Sequence, residues 1–273
     1  MEVTQKRFDA LHGRADRVGE ISLRLVRGLY HFYLFMASLL ALGLRFRWIS
    51  RPAVVNVLIR QIYFTGVKGL PWVLVITLFA GVAAVYHIVH FAKSVGDISL
   101  IGSLMNTLLM QEIAPLLVTV LMLTRSGVAV ATEIGNMHIR GEAMLLKSMG
   151  IDLDEYLYLP RMMAFTLCGL VMTILFVGIS IWVGGLFVAL NHELNFTQFL
   201  TEIRKGTTLD GVLMMVGKGA FYPVLCCAML LFEGRKVGHD PNQVPVHATY
   251  GVLDSLMMVA LVDVIVAVLR GVL

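Results

Sequence analysis

The sequence predicts an all-α integral membrane protein, with an N-terminal interfacial amphipathic helix followed by about five transmembrane helices. Three observations carry that expectation. Hydrophobic residues make up 58% of the 273 and charged residues only 15%, where a soluble domain carries roughly 25%. Apolar stretches reach the ~20 residues that a helix needs to cross a hydrocarbon core of ~30 Å. Eleven of the 22 Lys and Arg residues precede Pro71, an asymmetry that suits segments facing an anionic leaflet.

The same composition excludes other classes. The net charge is +4 and the pI near 9.0, but the basic residues form no stripe of the kind that follows a nucleic-acid groove. Cys168, Cys226 and Cys227 lie inside apolar runs, with no paired spacing and no polar ligand set. They read as packing residues rather than a disulfide framework or a zinc site. The first thirty residues hold too many charges for a signal peptide, and the apolar run 29–44 lacks a small-residue cleavage pattern, so a retained N-terminus is expected.

Phe8, Leu11, Ala15, Val18, Ser22, Leu25 and Leu29 recur at spacings of three and four, with Arg14, Arg17, Arg24 and Arg27 between them. This is the pattern of a basic amphipathic helix. It runs into HFYLFMASLLALGLRFRW, whose apolar part is short for a span and ends in the interfacial anchors Arg45, Arg47 and Trp48. An in-plane helix region over 1–50 is therefore expected in preference to a sixth span. Arg51-Pro52 breaks it, and a second amphipathic piece ends at Pro71, which suits the first turn of a new helix.

Spans are expected at about 70–91, 104–134, 162–190, 211–232 and 248–269, in one membrane domain over 51–273. The second is interrupted by Glu112, Pro115 and Arg125, whereas the third has no charged residue. Between them, residues 136–159 carry Arg140, Glu142, Lys147, Asp152, Asp154 and Glu155, too much charge for hydrocarbon but compatible with a short surface helix. NHELNFTQFLTEIRKGTTLD suits a helical turn or two, and EGRKVGHDPNQVPVH reads as a loop. The N-terminal region, residues 136–161 and the 234–247 loop are richer in Lys and Arg than the loops near Lys93 and Arg204-Lys205. The rich side is expected in the cytoplasm, and with five spans the C-terminus falls in the periplasm.

A nucleotide-driven pump needs a phosphate cradle, and the nearest stretch to GxxxxGK[ST] fails: five residues separate Gly211 from Gly217-Lys218, and Gly219 replaces the hydroxyl residue. Any ATP hydrolysis would belong to another chain. Glu112 and Lys218 stand inside apolar spans, where an isolated charge costs about 2.5 to 3.5 kcal/mol. At 1.5 Å per residue both sit roughly 12 Å below the start of their spans. Two readings remain open, a structural ion pair or a polar element of a substrate cavity. Pro115, three residues after Glu112, loosens the helix there.

Asp254 and Asp263 are nine residues apart, which at roughly 100° per residue puts them on opposite faces. Both are assigned mainly to packing or interfacial contacts. His87 and His90 share a face but make a weak metal signal, and interfacial placement is preferred. No nucleophile, acid–base or metal motif suggests catalysis.

RQIYFTGVKGLPWVLVITLFAG, LLMQEIAPLLVTVLMLTRSGVAVATEIGNM, KSMGIDLDEYLYLPRMMA, VGKGAFYPVLCCAMLLFEG and VHATYGVLDSLMMVALVDVIV follow one another in the chain. In this order and spacing they resemble the MlaE/YrbE permease family over about residues 55–270. The resemblance implies an MlaE-like fold and a homodimer that binds two cytoplasmic ABC ATPase subunits and, on the periplasmic face, MCE-domain lipid carriers. A small cytoplasmic regulatory subunit is a further expected partner. The implied substrate is phospholipid, moved between the inner membrane and the carrier, with ATP and Mg on the ATPase and no cofactor in this chain.

Carried over by motif, Glu112 in QEIAP and Lys218 in GKG match polar positions of the family's lipid cavity. Met137, Arg140, Glu142 and Lys147 fall in the segment of about 137–150 that matches its cytoplasmic coupling helix, the docking element for the ATPase. Gln111, beside Glu112, is counted with Glu112 and Lys218 as a substrate-binding candidate, although the family commonly has Arg there; a second departure is GEAMLL, where an EQIDAL-like stretch is common. Two other classes stand beside this reading. An ion-coupled secondary transporter could relay protons through Glu112, Asp254 or Asp263, although no inverted repeat is visible. A non-transporting membrane scaffold is the other.

Overall fold

The computed structural model describes residues 27–44, 51–191, 194–238 and 240–272, with no strand among them. The basic amphipathic helix expected before residue 27, and the anchors Arg45, Arg47 and Trp48, lie outside the described residues. The chain divides into two compact units, Met1–Arg45 and Phe46–Leu273. In the first, α1 (Arg27–Leu44) has 18 residues and is long and apolar enough to cross a membrane. At 1.5 Å per residue it measures ~27 Å, close to the thickness of a hydrocarbon core. With the five helices expected from the sequence, six helices qualify by length and composition.

The second unit contains α2 (Pro52–Val95), α3 (Leu100–Ile139), α4 (Glu142–Ser148), α5 (Asp154–Leu190), α6 (Phe196–Gly206), α7 (Leu209–Gly234) and α8 (Gln243–Val272). The first part of α2 buries Val54, Leu58 and Gln61, spaced by four and three, against α5. A turn at Lys68 and Gly69 precedes the apolar part, which starts with Pro71 in its first turn as expected. The polar stretch before α7 forms 11 residues of helix, more than the turn or two anticipated, with Phe199 and Ile203 buried.

α7 is the centre of the bundle, packed against α3, α5 and α8. In its most apolar stretch 78% is buried, against 11% for α8. The outer face of α8 therefore shows Tyr250, Leu253, Met257 and Leu261 to its surroundings. A membrane helix tolerates this because lipid tails are as apolar as its side chains.

The α5–α7 crossing is built from small residues. A Cβ placed on Gly169 would lie 2.4 Å from Pro223 Cγ and 2.7 Å from the Gly219 carbonyl oxygen, and one on Gly219 would lie 2.8 Å from Thr173 Oγ1. The two backbones meet with no side-chain layer between them, as small-residue membrane interfaces allow. Thr173 returns its hydroxyl hydrogen to the Gly169 carbonyl at 2.8 Å, so no polar atom is stranded. This contact fixes the height of Lys218, the residue next to Gly219.

α3 is irregular where Pro115 interrupts it. Proline lacks the N–H that would reach the carbonyl four residues back, and the turns before it, Met105–Ile113, widen to a π-helical form in which the Ala114 N–H donates to Leu109 O. Widened turns of this kind occur often at functional sites.

Candidate functional site

The widened segment of α3 carries Glu112 to a charge cluster shared with α7 and α8. Lys218 Nζ donates to both oxygens of Glu112 at 2.8 Å and to Asp263 Oδ1 at 2.7 Å. Tyr222, one turn along α7, donates to the same Asp263 oxygen at 2.6 Å. An ammonium has three N–H donors, and here each finds a carboxylate oxygen. The lysine side chain is 5% exposed, Glu112 31% and Asp263 18%, so the cluster is closed on the ammonium side and open on the Glu112 side. Two carboxylates face one ammonium. In a low-dielectric layer such a group persists only when every donor is matched, which is the case here.

A second polar arc lies at the same end of these helices. Arg270, near the end of α8, donates to Gln111 and to Asp210. Thr208 accepts from the Gly211 N–H at 3.1 Å, capping the start of α7, and from Asn106 Nδ2 at 3.1 Å, tying that cap to α3.

Of the three expected residues, the structure brings Glu112 and Lys218 into direct contact. Gln111 precedes Glu112 in sequence but is 1% exposed, with its oxygen committed to Arg270. The assignment of Asp263 to packing is corrected, since it is one of the two anions that hold Lys218. Tyr222 was not anticipated either. Neither carried a signal of its own in the sequence, because the register between α7 and α8 decides which of their residues meet. Asp254 stays outside the cluster, as the opposite-face reading required.

The expected segment 137–150 is split. Met137 belongs to the last turn of α3, and Arg140 follows its end. Gly141, at φ 71°, starts a new direction, and α4 carries Glu142 and Lys147. The left-handed conformation at Gly141 cannot continue a helix, which is why one surface helix over the whole segment does not form. Met144, Leu145 and Met149 are 80%, 63% and 67% exposed there. His90 stacks on Tyr86 with ring centroids 6.0 Å apart. Among the described residues no group of three His, Cys, Asp or Glu could hold a metal.

Comparison with known proteins agrees with this architecture. Residues 58–269 match the family described as Permease MlaE. A probable ABC transporter permease protein of Synechocystis is 27% identical over 205 residues, covering 74% of this chain and 76% of that protein. A probable ABC transporter permease protein of Rickettsia typhi is 25% identical over 248 residues, covering 90% and 93%. The intermembrane phospholipid transport system permease protein MlaE of Haemophilus influenzae is 26% identical over 224 residues, covering 78% and 83%. With the family match running across all the helices that build the cluster, the chain belongs to the MlaE permease family and is a multi-pass membrane transport permease.

Proposed function

We propose that this permease is the membrane-spanning subunit of an ABC transporter that moves phospholipid between a bacterial inner membrane and a periplasmic MCE-domain carrier. The observation that carries the reading is Lys218, held by Glu112 and Asp263 inside an apolar bundle with one side of the cluster open. A buried charge in a membrane helix marks a substrate path or a polar relay by default, and the polar groups of a lipid headgroup reach the cluster from its open, carboxylate side. The name of the Haemophilus relative supports phospholipid as the substrate class.

In this reading Glu112, Lys218 and Asp263 contact the headgroup, and Gln111 sets the position of Arg270 at their edge. α4 is the coupling helix. Its exposed Met144 and Leu145, with Met149 just past its end, dock a cytoplasmic ATPase that binds ATP and Mg, flanked by the charges of Arg140, Glu142 and Lys147. Met137 stands at the junction between α3 and α4. Closure of two such ATPases drives α4 against a homodimer and changes the volume of the cavity at its interface. A small regulatory subunit binds on the ATPase side.

Reconstitution of the permease with its co-expressed partners tests this. Fluorescent phospholipid should pass between liposomes and the carrier in an ATP-dependent manner, and Glu112→Ala or Lys218→Ala should impair it while the complex still assembles. Transfer driven by a proton gradient without ATP would instead favour an ion-coupled transporter, and normal transfer by both variants would reject the site.

A further inference from the structure

A second polar centre occupies the other end of the bundle. Arg161 opens the charge-free run of α5 and is 3% exposed. Its Nη2 meets Glu133 at 2.9 Å. Its Nε and Nη1 are buried and have no hydrogen-bond partner, a condition shared among the described residues only by Asn106 Oδ1. A buried guanidinium with idle donors is a site prepared for an acceptor that the chain itself does not supply.

That arginine lines a cleft of about 460 Å³ between the start of α2, the end of α3, α4 and the start of α5. Arg60 and Tyr156 share the polar side with it, and Phe64, Val130 and Leu146 form an apolar wall. Gln61, also in the lining, spends its amide on Thr65 at 2.9 Å. Two guanidinium groups against the single carboxylate of Glu133 leave the cleft with one positive charge in excess. Glu133 is 57% exposed, so it neutralises Arg161 from the rim without filling the interior. Along α3, Glu133 is 21 residues from Glu112, or about 30 Å at 1.5 Å per residue. This is the thickness of a hydrocarbon core. The cleft is therefore far from the Lys218 cluster, at the end of the bundle that carries α4.

We infer that this cleft binds the phosphate of a glycerophospholipid from the adjoining leaflet, with Arg161 and Arg60 on the phosphate oxygens and an acyl chain along the Phe64, Val130 and Leu146 wall. Charge-assisted bonds from arginine to phosphate are the strong ones, and a neighbouring apolar wall distinguishes a lipid from a soluble anion. The site is separate from the one used for transport and goes beyond it. Leu146 is on α4, so an occupant touches the helix that faces a partner.

Native mass spectrometry of the delipidated full chain tests the assignment, with phosphatidic acid, diacylglycerol of the same chains and inorganic phosphate as probes. The wild type should retain phosphatidic acid and not diacylglycerol. Arg161→Gln and Val57→Trp, the second filling the cleft with the arginine intact, should weaken retention by about tenfold or more. If Arg161→Gln does not fold, Val57→Trp still decides. Binding of inorganic phosphate without phosphatidic acid would keep the anion site and overturn its lipid source. Unchanged retention in Val57→Trp, or equal retention of diacylglycerol, overturns the proposal. Retention of phosphatidic acid unchanged in both Arg161→Gln and Val57→Trp assigns the lipid to the other cluster, which overturns this site and leaves the transport reading standing.

Discussion

The ammonium of Lys218 lies 2.7 Å from Asp263 Oδ1 although 45 residues separate the two in sequence. The contact crosses the α7–α8 hairpin and completes a group that Glu112 alone would leave with one donor unmatched. Removing the lysine leaves two carboxylates facing each other. Breaking a buried pair costs about 3–5 kcal/mol, and the partial exposure of both partners lowers the expectation for Lys218→Met to about 2–4 kcal/mol. The melting temperature of the purified protein should fall, and Lys218→Met/Asp263→Asn should recover part of the loss. A double variant no more stable than the single one would show that the carboxylates do not repel.

Tyr222→Phe removes one hydrogen bond to Asp263 and nothing else of size. A bond to a charged group contributes about 1.5–3 kcal/mol. With Asp263 partly exposed, the lower end is expected, and the variant should fold, assemble and transfer lipid more slowly. A transfer rate equal to wild type would remove Tyr222 from the site.

Gly169→Leu should be the most damaging substitution away from the charges. Its Cβ already meets Pro223 Cγ at 2.4 Å, and both the proline ring and the Gly219 carbonyl are rigid. Overpacking of this kind costs about 1–3 kcal/mol and sometimes more. Loss of detergent-stable protein, with Gly169→Ala intermediate, is the expected result. Full stability in Gly169→Leu would overturn the direct backbone contact between α5 and α7.

Thr208→Ala deletes the cap of α7 and the acceptor of Asn106 together. Loss of a cap costs about 1 kcal/mol, and the freed Asn106 amide adds to it. Hydrogen exchange at the first turn of α7 should accelerate while the far end of the helix stays protected.

Gly141→Val should strain a backbone at φ 71° by about 1–3 kcal/mol. The damage is local to the α3–α4 corner. ATPase activity in the assembled complex should become uncoupled from lipid transfer while the fold persists. Unchanged coupling would argue against α4 as the docking element.

The membrane helices were legible because their signals are local. Charge-free length marks α5, Pro71 marks a helix start, and Glu112, Pro115 and Lys218 stand out against apolar neighbours. Asp263 was misassigned because facing direction within one helix says nothing of which neighbour it meets. That information lies in the register of two helices, which a short loop sets. Arg161 escaped notice because it sits at the edge of an apolar run, where arginine is ordinary, and its two idle donors exist only once α2 and α3 close over it. Gly169 gave no signal alone, since its meaning depends on Gly219 and Pro223.

Where two backbones touch with nothing soft between them, there is no layer to deform. α5 and α7 must then shift as one plank, with Lys218 carried on it. The elements facing the ammonium across that plank are α3, through Glu112, and α8, through Asp263. Parting α8 from α7 at that depth is therefore a matter of charge rather than of unpacking, because the ammonium loses the Asp263 oxygen and needs another as good.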